Sequence, residues 1–312
     1  HLIKLLSVLF VLSFAQTAWA ACTVDDVNYK TIGGSDTAIT TAIIKNRASS
    51  WNNATDLITT CDVSSITDMT DMFKNNLTFN QDLSAWDTGA VTSMKNMFSG
   101  ATSLTEVSLP QTGKVKNMRE MFQDATALIT VSLPTTGKVT DMSNMFNGAS
   151  SLTSVTLPDT GNVGYMYGMF ANASSLTSVS LPTTGKVTIM SYMFNGASSL
   201  TTVSLPQTGN VGYMISMFYN ASAFNQDIRG WDVSNVTYFN AMFYGATAMA
   251  TTFGGTSNWP ADNSTPTSAW FTPVTPIPSN SEFTNAITAC LAESAVTGNC
   301  TTYGASSGYG TM

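Results

Sequence analysis

Val139-Thr140-Asp141-Met142-Ser143-Asn144-Met145-Phe146-Asn147-Gly148-Ala149 is one copy of a phrase that recurs along the chain. Its opening residue falls at Ile66, Val91, Val115, Val139, Val163, Val187, Val211 and Val236, in steps of 25, 24, 24, 24, 24, 24 and 25 residues. Self-similarity at a near-constant period of this length is the signature of a solenoid, a stack of coils each of which buries its apolar face only against its neighbours. Within the copy, Val139, Met142, Met145, Phe146, Ala149 and Leu152 recur at helical spacing and are expected to point inward. Val155 and Leu157 then alternate with Ser154 and Thr156, which reads as a strand stopped by Pro158. Each coil is therefore expected to hold one short strand and one short helical turn.

Two further positions keep time with the repeat. Two residues after each repeat Phe stand Asn75, Gly100, Asp124, Gly148, Asn172, Gly196, Asn220 and Gly245. Gly, Asn and Asp tolerate the left-handed backbone, so an αL cap is expected at each. Gly113, Gly137, Gly161, Gly185 and Gly209 each end a Pro-x-Thr-Gly segment that reads as a turn. Leu109-Pro110-Gln111-Thr112-Gly113 and its four copies also match a sortase sorting signal. Such a signal occurs once, near the carboxyl terminus, whereas these are internal and in step with the repeat, so the turn reading is preferred. Fifteen of the seventeen methionines lie in the repeat phrase, at the spacing of the inward stripe. They read as gap-filling core rather than as a metal array.

Outside the array, residues 1–20 read as a secretory signal peptide. Lys4 precedes the apolar run from Leu5 to Phe14, and the small-x-small pattern predicts cleavage after Ala20. Residues 21–65 read as an amino-terminal cap with one amphipathic helix from about Asp36 to Trp51. Residues 66–250 form the array. Residues 251–281, with Pro260, Pro266, Pro273, Pro276 and Pro278, read as a linker or carboxyl-terminal cap. Trp259, Trp270 and Phe271 suggest that the first half of this segment packs over the last coil. Residues 282–312 echo the first cap and read as the start of a second one, cut short. Export makes Cys22, Cys61, Cys290 and Cys300 disulfide candidates. Of the three possible pairings, Cys22–Cys61 with Cys290–Cys300 is favoured because each pair shares one segment.

The phrase from Val139 to Pro158 resembles the repeats of bacterial BspA-type leucine-rich-repeat surface proteins. The outer units, Phe79-Asn80-Gln81-Asp82-Leu83-Ser84-Ala85-Trp86-Asp87 and Phe224-Asn225-Gln226-Asp227-Ile228-Arg229-Gly230-Trp231-Asp232, resemble that family's other repeat type. The resemblance covers roughly residues 36–250. It implies a right-handed α/β leucine-rich-repeat solenoid, secreted or on a cell surface, that acts in adhesion or protein binding. It supplies no active site. Cys61 departs from the pattern by standing where the outer units have Trp86 and Trp231.

Charged residues make up only 10% of the chain and the net charge is −7, which argues against a nucleic-acid partner. A membrane would be reached only through an anchor not visible in this chain. The single histidine, His1, leaves no base for Ser–His–Asp chemistry, and no phosphate loop or metal-spaced cluster is present. No catalysis and no cofactor are expected. Asp82 with Asp87, and Asp227 with Asp232, lack the spacing of a calcium loop and read as hydrogen-bonding groups. The candidate binding surface is two outward ladders on the strands. One runs Glu106, Thr130, Ser154, Ser178, Thr202 and the other Ser108, Ser132, Thr156, Ser180, Ser204. With rungs about 4.8 Å apart, they would present an extended hydroxyl strip to an extracellular protein or glycan. The rival reading is a flat hydroxyl lattice that binds ice or crystalline polysaccharide.

Overall fold

The computed structural model describes residues 63–256 and 258–271. The expected signal peptide, the amino-terminal cap helix, all four cysteines and the second cap lie outside the described residues. Within them the chain winds as a leucine-rich-repeat solenoid. The five inner coils carry three-residue strands, β1 (Glu106–Ser108), β2 (Thr130–Ser132), β3 (Ser154–Thr156), β4 (Ser178–Ser180) and β5 (Thr202–Ser204). They pair in parallel and in register as β1–β2–β3 and as β4–β5.

The inward set is as the periodicity predicts. Val139, Met142, Met145, Phe146, Ala149 and Leu152 are all fully buried, as are their equivalents in the other inner coils, whereas Val236 of the eighth coil is only partly buried. The repeat phenylalanines form one continuous stack: the Phe98, Phe122, Phe146 and Phe170 rings follow one another at 5.5 Å, within 6° of parallel. Offset stacks of this kind add to the area that each ring buries.

The backbone beneath that stripe is not the helical turn its spacing suggests. Alternate N–H groups bond to the next coil: Met142, Asn144, Phe146 and Gly148 donate to the carbonyls of Tyr165, Tyr167, Met169 and Ala171 at 2.7–3.0 Å. The intervening Met145, Asn147 and Ala149 donate three residues back, to Met142, Asn144 and Phe146. The segment is thus a run of β-turns, and a second parallel ladder of bridges from Asp68 to Tyr238 ties all eight coils together. Successive turns and an α-helix bring nearly the same residues to one side, so the inward pattern alone does not separate them.

All eight expected αL positions have positive φ, from 54° at Asn220 to 76° at Gly148. The alternation of Asn or Asp with Gly has a packing cause: a Cβ at Gly148 would collide with the Asp124 side chain of the preceding coil. A second left-handed residue sits four positions earlier in every coil, at Asp71, Asn96, Glu120, Asn144, Gly168, Tyr192, Ser216 and Ala241. An alanine held at φ 52° is strained by about 1 kcal/mol relative to glycine. Ala241→Gly is therefore expected to raise the melting temperature by roughly 2–4 °C, with Gly168 as the natural precedent. A lowered melting temperature would show that Gly's greater unfolded-state entropy dominates.

The expected Pro-x-Thr-Gly turns also shift by two residues. The turn is Thr112 to Val115, closed by Val115 N–H on the Thr112 carbonyl at 3.1 Å, and its glycine is not among the positive-φ residues. The threonine carries the structural role. Thr112, Thr136, Thr160, Thr184 and Thr208 are buried, and each hydroxyl donates to a backbone carbonyl of the next coil, at Thr135, Asp159, Thr183, Gln207 and Asp232.

Beyond the eighth coil, α1 (Thr247–Phe253) and a 3-10 turn (Ser268–Phe271) lie over the open end. Trp259 stacks on Phe243 at 5.5 Å, Trp270 meets Phe243 edge-on at 5.3 Å, and Phe271 stacks on Phe239 at 5.4 Å. Arg229 ties this end down, with its guanidinium 5.5 Å from the Phe253 ring centroid and 2.6 Å from the Asp227 carboxylate. The hydrogen bonds from Arg229 hold the Asp227 carboxyl below its ordinary range.

Candidate functional site: the strand face

Each strand places one valine between two outward side chains. Because the pairing is in register, the outward residues align into the two ladders expected from the sequence. Glu106, Thr130 and Ser154 are neighbours, as are Ser108, Ser132 and Thr156. Ser178 and Thr202, and Ser180 and Ser204, continue them. All ten side chains are exposed. Among the described residues, none of them makes a hydrogen bond within the chain, in contrast to the paired threonines at the corner.

The ladder is not uniform. Between β3 and β4 the pairing lapses, and Val155 is only partly buried where the equivalent valines of the other strands are buried. At the amino-terminal end the loop of the first coil, residues 80–84, stands beside β1–β3 and closes a groove of about 690 Å³. Its wall carries Asp82, whose carboxyl accepts from the Ser84 backbone N–H at 2.8 Å and the Ser84 hydroxyl at 2.9 Å. Those bonds lower its pKa, the backbone one most. With Glu106 it makes this end of the groove negative.

Both open edges of the ladder are closed by side-chain amides from the two outer units. Asn80 Oδ1 accepts from the Thr105 backbone N–H at 3.0 Å, and Gln226 Oε1 accepts from the Val203 backbone N–H at 2.7 Å. Each supplies the carbonyl that a further strand would have offered. The shared Phe-Asn-Gln-Asp motif is visible in the sequence but this use of it is not, because different residues of the motif face the two edges. The aspartates of these units serve local hydrogen bonds as expected: Asp87 accepts from Gly89 N–H and Asp232 from Ser234 N–H. Among the described residues, no group of three or more His, Cys, Asp or Glu could hold a metal ion, and no helix is long and apolar enough to cross a membrane.

The chain is similar to several solved leucine-rich-repeat proteins. A leucine-rich-repeat protein of T. pallidum is 18% identical with a TM-score of 0.35, over 45% of this chain and 63% of that one. A leucine-rich cell surface protein of Faecalibacterium prausnitzii is 20% identical with a TM-score of 0.32, over 50% and 35%. A leucine-rich-repeat protein of Eubacterium ventriosum is 15% identical with a TM-score of 0.39, over 56% and 45%. The chain thus spans less than two thirds of the length of these proteins, and at such TM-scores the fold rests on the coils themselves. No curated protein sequence matches the chain. A family model described as "Mycoplasma protein of unknown function, DUF285" matches residues 41–153, 129–203 and 166–283, overlapping stretches that together cover most of the chain. The overlap is what a repeated coil produces when one model fits it in several registers, and the chain belongs to the DUF285 family.

Proposed function

We propose that this protein is a secreted or cell-surface scaffold that mediates adhesion by binding an extracellular protein or glycan along its strand face, without catalysis. The observation that supports this is the contrast between two sets of hydroxyls. Those at the corner are buried and paired with the backbone of the next coil, whereas the ten ladder side chains are exposed and make no hydrogen bond among the described residues. A scaffold that spends its other polar groups on coil stacking keeps this strip available for a partner. Surface or secreted placement rests on the expected signal peptide.

The lattice-binding alternative asks for one flat, unbroken sheet. The lapse between Thr156 and Ser178, and the wall that residues 80–84 raise beside β1–β3, favour a shaped partner over a crystal face.

The test is a binding screen against matrix proteins and glycans, run beside a variant with Ser154, Thr156, Ser178 and Ser180 all changed to Lys. These positions are exposed, so the variant is expected to fold and to lose binding at least tenfold. Equal binding by both proteins would move recognition off the strand face.

A further inference from the structure

A second cavity, of about 650 Å³, lies toward the opposite end of the array from the groove, where the threonine corner reaches the seventh coil. Its lining includes Trp231 and four planar hydrogen-bonding side chains, Gln207, Asn210, Asp232 and Asn235. We infer that this is a saccharide-binding pocket, built to hold one or two units of a neutral glycan against Trp231.

Trp231 is the counterpart of Trp86, and the two differ in exposure. Trp86 is only 1% exposed, whereas Trp231 is partly exposed. The corner beside them differs as well. Thr88, two residues after Trp86, is buried and its hydroxyl donates to the Gln111 carbonyl of the next coil. The residue in that place after Trp231 is Val233, which has no hydroxyl with which to make that bond. Ala85 before Trp86 is likewise replaced by Gly230 before Trp231. A Cβ at Gly230 would meet nothing within 4 Å and the residue is not at positive φ, so the fold does not require glycine there. It lines the cavity beside Trp231 without adding a side chain.

The polar groups suit a polyhydroxyl ligand. Asn210 and Asn235 commit Nδ2 to the Gly185 and Gly209 carbonyls, the latter at 2.6 Å, which orients both side chains and leaves their Oδ1 atoms as acceptors. Asp232 accepts from the Ser234 backbone N–H at 3.0 Å through Oδ1, and its carboxylate lines the cavity as a further acceptor. Among the described residues, the Gln207 side-chain amide and the Trp231 indole N–H have no hydrogen-bond partner, so both are available as donors. A sugar hydroxyl needs both donors and acceptors, and its ring offers an apolar face to an aromatic side chain. No Lys or Arg lines the cavity while Asp232 stays ionised, so an anionic ligand is disfavoured. A quaternary ammonium would leave the four planar groups unused and would want more than one ring. The volume falls within the range of about 300–1,000 Å³ usual for small-ligand sites.

The full chain would be titrated by calorimetry with trisaccharides of glucose, mannose and N-acetylglucosamine, with sialyllactose and choline as charged controls. One neutral series is expected to bind, with tenfold or greater loss in Trp231→Phe and a clear loss in Gln207→Ala. Gln207 is exposed, so its variant keeps the result readable if Trp231→Phe disturbs packing against Phe218. The strand-face Lys variant should bind the same saccharide normally, which separates this site from the ladder. Absence of binding by every neutral saccharide, binding of choline alone, binding unchanged in both variants, or burial of the pocket by a second copy in sedimentation would each overturn the assignment.

Discussion

Phe146→Ala is expected to lower stability by about 3–5 kcal/mol, the usual cost of truncating a fully buried phenylalanine. The ring is fully buried and stacked at 5.5 Å on Phe122 and on Phe170, so its loss leaves a cavity shared by three coils. Coils cannot close that gap, because their spacing is held by the Met142, Asn144, Phe146 and Gly148 N–H bonds to the next coil. The melting temperature should fall by on the order of 10 °C. Hydrogen exchange should accelerate first at the amides of coils three to five. Phe146→Leu, which refills most of the volume, should recover more than half of the loss. A melting curve unchanged by Phe146→Ala would show that the stack contributes little beyond contact.

Thr160→Val is the second large effect. It keeps the shape of the side chain and removes only the hydroxyl, which donates to the Thr183 carbonyl and accepts from the Thr183 N–H at 3.4 Å. Thr160 is fully buried, so the Thr183 carbonyl loses its donor at a site where water has little access. The expected cost is about 1–3 kcal/mol, the usual penalty for a buried polar group left unpaired. Thr160→Ser should restore most of it. The chemical denaturation midpoint checks both variants, and a midpoint for Thr160→Val equal to the parent's would mean that water replaces the hydroxyl. The same change at exposed Thr130, whose hydroxyl has no partner among the described residues, should have almost no effect on stability. That contrast separates the threonines that stack coils from those offered to a partner.

These two residues also show where sequence reading succeeds and where it stops. Phe146 was legible because inward placement is a matter of period, and the same residues recur at the same offsets in every coil. Thr160 was not, because in Leu-Pro-Asp-Thr-Gly nothing local says that the hydroxyl meets a carbonyl 23 positions later. The ladder residues lay between these cases. Alternation with Val107, Val131, Val155, Val179 and Val203 pointed them outward, but their register depended on the coils stacking without slip. The second set of left-handed residues was hidden because only Asp71, Asn96, Asn144 and Gly168 are residue types that favour that conformation. Glu120, Tyr192, Ser216 and Ala241 are held there by inter-coil bonds, among them Glu120 N–H to the Ser143 carbonyl at 2.9 Å.

By itself the sequence determined the repeat, its period, the inward stripe, the outward strand residues and one left-handed residue per coil. All of these are local, since burial and φ preference repeat with the residue types that carry them. The tertiary structure alone decided that the stripe runs through β-turns rather than a helix, that the corner threonines pin each coil to the next, and that Asn80 and Gln226 close the two sheet edges. It also decided that Trp86 is sealed while Trp231 stays open to a cavity. The first three of these turn on which backbone group lies one coil away, a contact that a pattern within one coil does not encode.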